Sequence, residues 1–180
     1  MSEVKIKFTY EDYLQLPEDK RYEIIEGELY MVPSPNCSHQ TISQKLFLAL
    51  HDHITSRGLG TVFYAPLDVV PSEENVIQPD LIFISRERSY IITDKNICGM
   101  PDLVVEILSP GTAYRDKGIK RKLYAKYDVK EYWIVDPDQR MVEVLALEEG
   151  EFLSAGVYTE KTPLKSPILT ELGVDLSKVF

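Results

Sequence analysis

Residues 100–110 read MPDLVVEILSP. From Leu103 to Leu108 every position is apolar except Glu106. A strand apolar on both faces is a strand covered on both faces. Side chains alternate along a strand, so Leu103, Val105 and Ile107 share one face, and Asp102, Val104, Glu106 and Leu108 share the other. An ionised carboxylate between Val104 and Leu108 is costly without a partner. Two readings stay open. Glu106 lies near a sheet edge or pairs with a nearby lysine, or it binds a divalent metal ion whose charge offsets the penalty.

A metal ion needs more than one carboxylate. Asp102 shares the face of Glu106, but four residues of strand place it about 13 Å away. Asp80, in VIQPDLIFIS, is better placed, because it opens the preceding strand and adjacent strands lie about 4.8 Å apart. Read alone, it is equally a turn aspartate after Pro79.

Working outward, the pattern gives one domain over residues 1–180. TYEDYLQL starts a short helix with Thr9 as N-cap and Asp12 in the capping box. RYEIIEGELYMV reads as a hairpin turning at Glu26-Gly27. Ser38 is expected to cap a helix with Ile42, Leu46, Leu50 and Ile54 inward, closed by Gly58 or Gly60. TVFYAPLDVV and VIQPDLIFIS are β-rich runs, and residues 86–100 are a charged connector. After the strand at 102–108, RDKGIKRKLYAKY is an amphipathic helix with Ile119 and Leu123 inward. EYWIVDP and MVEVLAL are further strands, and GVDLSKVF docks a last short helix. The fold class is α/β (α+β): an αβββαβ core around a mixed sheet flanked by helices, with added strands.

The segment 115–130 carries Arg115, Lys117, Lys120, Arg121, Lys122, Lys126 and Lys130 against Asp116 and Asp128, a local net of +5 in a chain of net −9. The overall charge opposes phosphate binding, so any nucleic-acid contact must use this local surface. The same run is also the ordinary pattern of a solvated helix face. Lys120 is set apart by its place beside Ile119, where it can lean towards Glu106. Asp, Glu and Lys gathered at a sheet end suit phosphodiester hydrolysis. Carboxylates hold Mg²⁺, and a lysine orients water and balances developing charge.

The bulk properties fit this reading. The 44% hydrophobic and 27% charged fractions are those of an ordinary globular chain. No apolar run approaches the roughly 18 residues of a membrane span. MSEVKIKFTYEDY lacks the apolar block of a secretory leader, so a cytoplasmic location is expected, with no membrane partner. Cys37 and Cys98 form neither a disulfide framework nor a metal motif.

With these residues in view, the chain resembles the Uma-type family of restriction endonucleases within the PD-(D/E)XK nuclease superfamily. The resemblance rests on RYEIIEGEL, the His of CSHQTI, VIQPDLIFIS, PDLVVEILSP, RDKGIKRKLYAKYDVKEYWIVDP and GVDLSKVF, in order over nearly the whole chain. It implies a restriction-endonuclease-like core, a Mg²⁺- or Mn²⁺-dependent DNA endonuclease and a homodimer. Asp80 and Glu106 match the metal-binding acids. The lysine of the motif would fall at Leu108, and Lys120 on the following helix takes its place. Glu23 matches a further acid, or is an exposed strand residue. His39 matches a recurring histidine, or is a core-edge histidine. Arg115, Lys117 and Lys122 would meet phosphates. The competing reading is a non-catalytic nuclease-fold protein that binds nucleic acid or a protein partner.

Overall fold

The computed structural model describes residues 6–180, so the first five, part of the stretch read for a secretory leader, lie outside the described residues. The opening turn α1 (Tyr10–Tyr13) carries the expected capping box between Thr9 and Asp12. Strands β1 (Arg21–Ile25) and β2 (Glu28–Val32) form the hairpin, with Ile25 opposite Glu28. Glu26 and Gly27 have φ of 52° and 82°, the left-handed pair that a tight two-residue hairpin turn needs.

Helix α2 (Cys37–Arg57) is capped by Asn36, not Ser38; the Asn36 side chain accepts from the His39 amide. Asn and Ser are equally good caps, and the helix takes the earlier one, which leaves Ser38 inside its first turn. Gly58, at φ 59°, ends it.

The two β-rich runs each break in two, giving β3 (Gly60–Tyr64), β4 (Val69–Ser72), β5 (Asn75–Ile77) and β6 (Leu81–Ser85). Pro66 and Pro79 sit at the breaks, where a residue without an amide hydrogen cannot extend a ladder. The connector 86–100 includes a 3₁₀ helix, Arg86–Ile91. Then come β7 (Leu103–Ile107), α3 (Ala113–Arg115), a π-helical turn Asp116–Lys120, α4 (Arg121–Lys126), β8 (Glu131–Asp136), β9 (Met141–Glu148) and β10 (Glu151–Thr159). A 3₁₀ turn, Leu176–Lys178, docks the tail.

Two sheets result. The larger has six strands in the order β10-β9-β8-β7-β6-β3, and the smaller has four, β2-β1-β5-β4. Within the larger sheet only β7 and β8 run parallel. A parallel pair needs a crossover, which the α3–α4 segment supplies. The αβββαβ core is therefore α2, β3, β6, β7, the crossover and β8, and β4–β5 is a hairpin inserted into it.

Strand β7 is covered on both faces, as its composition indicates. Leu103, Val105 and Ile107 pack with Ile42, Leu46, Leu50 and Ile54 of α2. Val104 and Leu108 pack on the other side with Leu123, Tyr124 and, from the smaller sheet, Ile25 and Ile77.

The crossover departs from expectation. Leu123 is buried, but Ile119 is only partly so, and Asp116 and Lys120 point inward with Tyr124. Residues 116, 120 and 124 recur at helical spacing, so they share a face. Apolarity alone favours Ile119. Acidic partners from other elements make a buried lysine tolerable, and the ionic stripe takes the inward position.

Candidate active site

The register of β6 and β7 sets the site. Leu81 pairs with Val105, so the next pair outward sets Asp80 opposite Glu106 on one face. The Ile107 amide donates to Asp80 Oδ2 at 2.8 Å, which ties the first acid to the strand of the second. His39, on the first turn of α2, places Nε2 3.2 Å from the same oxygen.

Glu106 is 4% exposed and its Oε1 accepts twice: from Lys120 Nζ at 2.9 Å and from the Tyr124 hydroxyl at 2.5 Å. Lys120 is itself 5% exposed. Its ammonium also lies 2.8 Å from Glu23 Oε1 and 3.6 Å from Asp116 Oδ1. Glu23 is buried on β1, where its Oε1 accepts a second hydrogen bond, from the Gln78 amide at 2.9 Å. Glu23, His39, Asp80, Glu106, Asp116 and Lys120 line one open cleft of about 820 Å³, walled by the turn before α2 and by the loop after β7, and Tyr124 lies behind it.

Three carboxylates, Glu23, Glu106 and Asp116, thus surround one ammonium, with Asp80 beyond them. Burial pushes Glu106 well above the usual carboxylate range, and Asp116, Asp80 and Glu23 add to that against the pull of Lys120. Asp116 is raised for the same first reason, burial, opposed by Lys120. Burial would lower Lys120, but Glu106, Glu23 and Asp116 outweigh it and hold the ammonium charged well past its ordinary range. His39 is lowered by burial and raised more by its hydrogen bond and charge contact with Asp80, for a net rise.

Such a surplus of hard oxygen donors fits a divalent cation. Among the described residues no three His, Cys, Asp or Glu side chains converge as a ready-made cage. Mg²⁺ does not require one, since it commonly takes one or two carboxylates and completes its shell with water. Asp80 and Glu106, opposite each other across β6 and β7, could hold it in that way.

Asp102 stands apart, as the strand spacing indicates. It accepts from the Ser85 amide at 2.8 Å and pairs with Lys130 at 2.6 Å and Arg88 at 3.3 Å, which fixes the start of β7. Among the basic residues, Lys117 is exposed on the cleft wall. Arg115 turns to the hairpin, its guanidinium 5.2 Å from the Tyr30 ring centre and its Nη2 3.4 Å from the Met31 carbonyl. Lys122 is exposed and is not part of the cleft wall. Asp116 and Tyr124 join the site without having been singled out as site residues. Their signal was the spacing of Asp116, Lys120 and Tyr124, four apart each time.

Residues 10–177 match the Uma2 family model, described as "Putative restriction endonuclease". The chain belongs to the Uma2 family. The Uma2 match runs from α1 to the last 3₁₀ turn and contains every cleft residue named above. A curated relative, "Uncharacterized protein slr1290" of Synechocystis sp., is 30% identical over 122 residues, 66% of this chain and 63% of that protein. The match thus spans less than two thirds of that relative's length. Among solved structures, a "putative nuclease belonging to DUF820 from Anabaena variabilis" is similar, with a TM-score of 0.79 at 22% identity over 96% of this chain and 97% of the other. At that identity the likeness establishes a shared fold. No described helix is long and apolar enough to cross a membrane.

Proposed function

We propose that this Uma2 chain is a Mg²⁺- or Mn²⁺-dependent endonuclease that hydrolyses phosphodiester bonds in DNA. The observation that carries the reading is the pairing of Asp80 with Glu106 across β6 and β7, with Lys120 donating to Glu106 from the crossover. Asp80 and Glu106 would hold the ion. When bound, such an ion polarises a phosphate oxygen and makes water a stronger nucleophile. Lys120 orients the attacking water and balances negative charge as it develops on the phosphate. Glu23 serves as the auxiliary acid that fixes the ammonium, and His39 steadies Asp80. Lys117 meets the DNA backbone at the cleft, and Arg115 and Lys122 extend that basic surface. A homodimer would present one cleft to each strand.

One observation favours a second reading. Lys120 is already enclosed by acids, as in a purely structural ion network. That suits a non-catalytic nuclease-fold protein that binds nucleic acid or a protein partner. Plasmid cleavage with and without Mn²⁺ separates the two. The wild-type chain should nick or linearise plasmid only with metal. Glu106→Ala should abolish cleavage, and Lys120→Ala should slow single-turnover cleavage by about 100-fold or more. A fully active Lys120→Ala protein removes the lysine from the mechanism. A wild-type chain that neither cuts nor gains thermal stability with Mn²⁺ supports the binding module.

A further inference from the structure

One unexplained atom in the cleft is Asp116 Oδ1, on the acid that faces Lys120. Asp116 is 2% exposed, and this oxygen has no hydrogen-bond partner. A buried polar atom left open carries a desolvation penalty and calls for an explanation. The nearest cation is Lys120 Nζ, 3.6 Å away, beyond hydrogen-bond reach.

Glu106 Oε1 has the opposite condition, with two donors on one oxygen. Both donors sit on Oε1, so a divalent cation taken up by Glu106 on either oxygen would lie beside the Lys120 ammonium and repel it. Tyr124 is fully buried, and its ring stands edge-on to Tyr132 at 5.0 Å, so its hydroxyl is held by packing. The lysine is the donor that can leave. Its contact with Glu23 Oε1 gives it a pivot, because that oxygen is itself fixed by the Gln78 amide. A swing about this pivot of roughly 1 Å would bring the ammonium to the 2.7–2.9 Å of a charge-assisted hydrogen bond with Asp116.

We propose that Asp116 is a positioning residue whose open Oδ1 receives the Lys120 ammonium when Glu106 turns to a divalent cation. The inference rests on the metal site proposed above. In the metal-free protein the ammonium is shared by Glu106 and Glu23. On metal loading it moves from Glu106 to Asp116 without leaving Glu23. The lysine is thereby stationed beside the ion and kept from competing with it. The π turn places the receiving and moving groups at its two ends, Asp116 and Lys120.

The test is calorimetric titration of Mn²⁺ into the full chain as wild type, Asp116→Asn, Lys120→Met and the double variant. Metal-free melts confirm that each is folded. Asp116→Asn should bind Mn²⁺ about ten-fold more weakly or worse, because the lysine stays on Glu106. Lys120→Met should bind at least as tightly as wild type. Adding Asp116→Asn to Lys120→Met should then change affinity by less than about two-fold, because the effect of Asp116 passes through the lysine. An equal loss in both backgrounds means that Asp116 acts on the ion directly and overturns the proposal. Unchanged affinity in Asp116→Asn also overturns it. If Asp116→Asn melts too low to titrate, the smaller neutral variant Asp116→Ser goes through the same cycle. A wild-type chain that takes up no Mn²⁺ removes the metal site and this proposal together, whereas tight wild-type binding with uncoupled variants removes this proposal alone.

Discussion

The Tyr124 hydroxyl donates to Glu106 Oε1 at 2.5 Å, joining a fully buried ring to a carboxylate at the floor of the cleft. Burial raises the phenol well above its ordinary value, and the Glu106 charge raises it further, so it remains a donor at every physiological pH. Tyr124→Phe keeps the ring packed on Tyr132 and removes only that hydrogen bond. Hydrogen bonds to charged groups contribute about 1.5–3 kcal/mol, and a loss of stability in that range is expected from urea unfolding. Glu106 would then hold only Lys120. A Tyr124→Phe chain as stable as wild type would show that the short contact adds nothing to the fold.

The metal-free protein should lose stability as pH rises through the neutral range. Glu106 and Asp116 sit above 4.5 and 3.8, so the native state holds protons that the unfolded chain releases. Their contribution is complete below those ordinary values and is lost as pH climbs through the raised ones. His39, raised above 6.5, acts in the same direction. Asp102 acts oppositely: burial raises it, its Lys130 and Ser85 contacts outweigh that, and its contribution is lost only as pH falls below 3.8. Melts from about pH 5 to about pH 8 should therefore slope downward. Glu106→Gln, which cannot release a proton, should flatten the slope, and that difference separates the cluster from the general self-repulsion of an acidic chain. A slope identical in wild type and variant would place the retained proton elsewhere.

Lys117 and Lys122 should part company on DNA. Lys117 is exposed on the cleft wall, whereas Lys122 is exposed away from it. Each phosphate contact removed lessens the dependence of log affinity on log salt by about one unit. Lys117→Ala should show that loss in fluorescence anisotropy over a salt series, and Lys122→Ala a smaller one. Equal slopes for both variants and wild type would take this helix off the DNA.

Much of this was legible in the chain because β7 obeys the simplest rule available. Its period of two puts Glu106 with Val104 and Leu108, and the clusters on its two sides divide along that line. The separation of Asp102 from Glu106 follows from strand rise alone. The crossover was less legible. Helical spacing grouped Asp116, Lys120 and Tyr124 on one face, but which face turns inward depended on Glu23 and Glu106, which come from distant elements. A buried lysine is intelligible only once its acids are in place, and no local window contains them. The cap at Asn36 was missed for a plainer reason, since two good cap residues lie two positions apart and local sequence does not rank them.

The ammonium of Lys120 joins three parts of the fold: β1 of the smaller sheet through Glu23, β7 of the larger through Glu106, and its own crossover through Asp116. Residues at 23, 80, 106, 116 and 120 become neighbours only when the two sheets have closed on each other. The chemistry is therefore all-or-none with the fold. A chain emerging from the ribosome, or one clipped between the hairpin and the crossover, carries each of these side chains without having a site. On the function proposed above, an incompletely folded copy would have no site with which to cut.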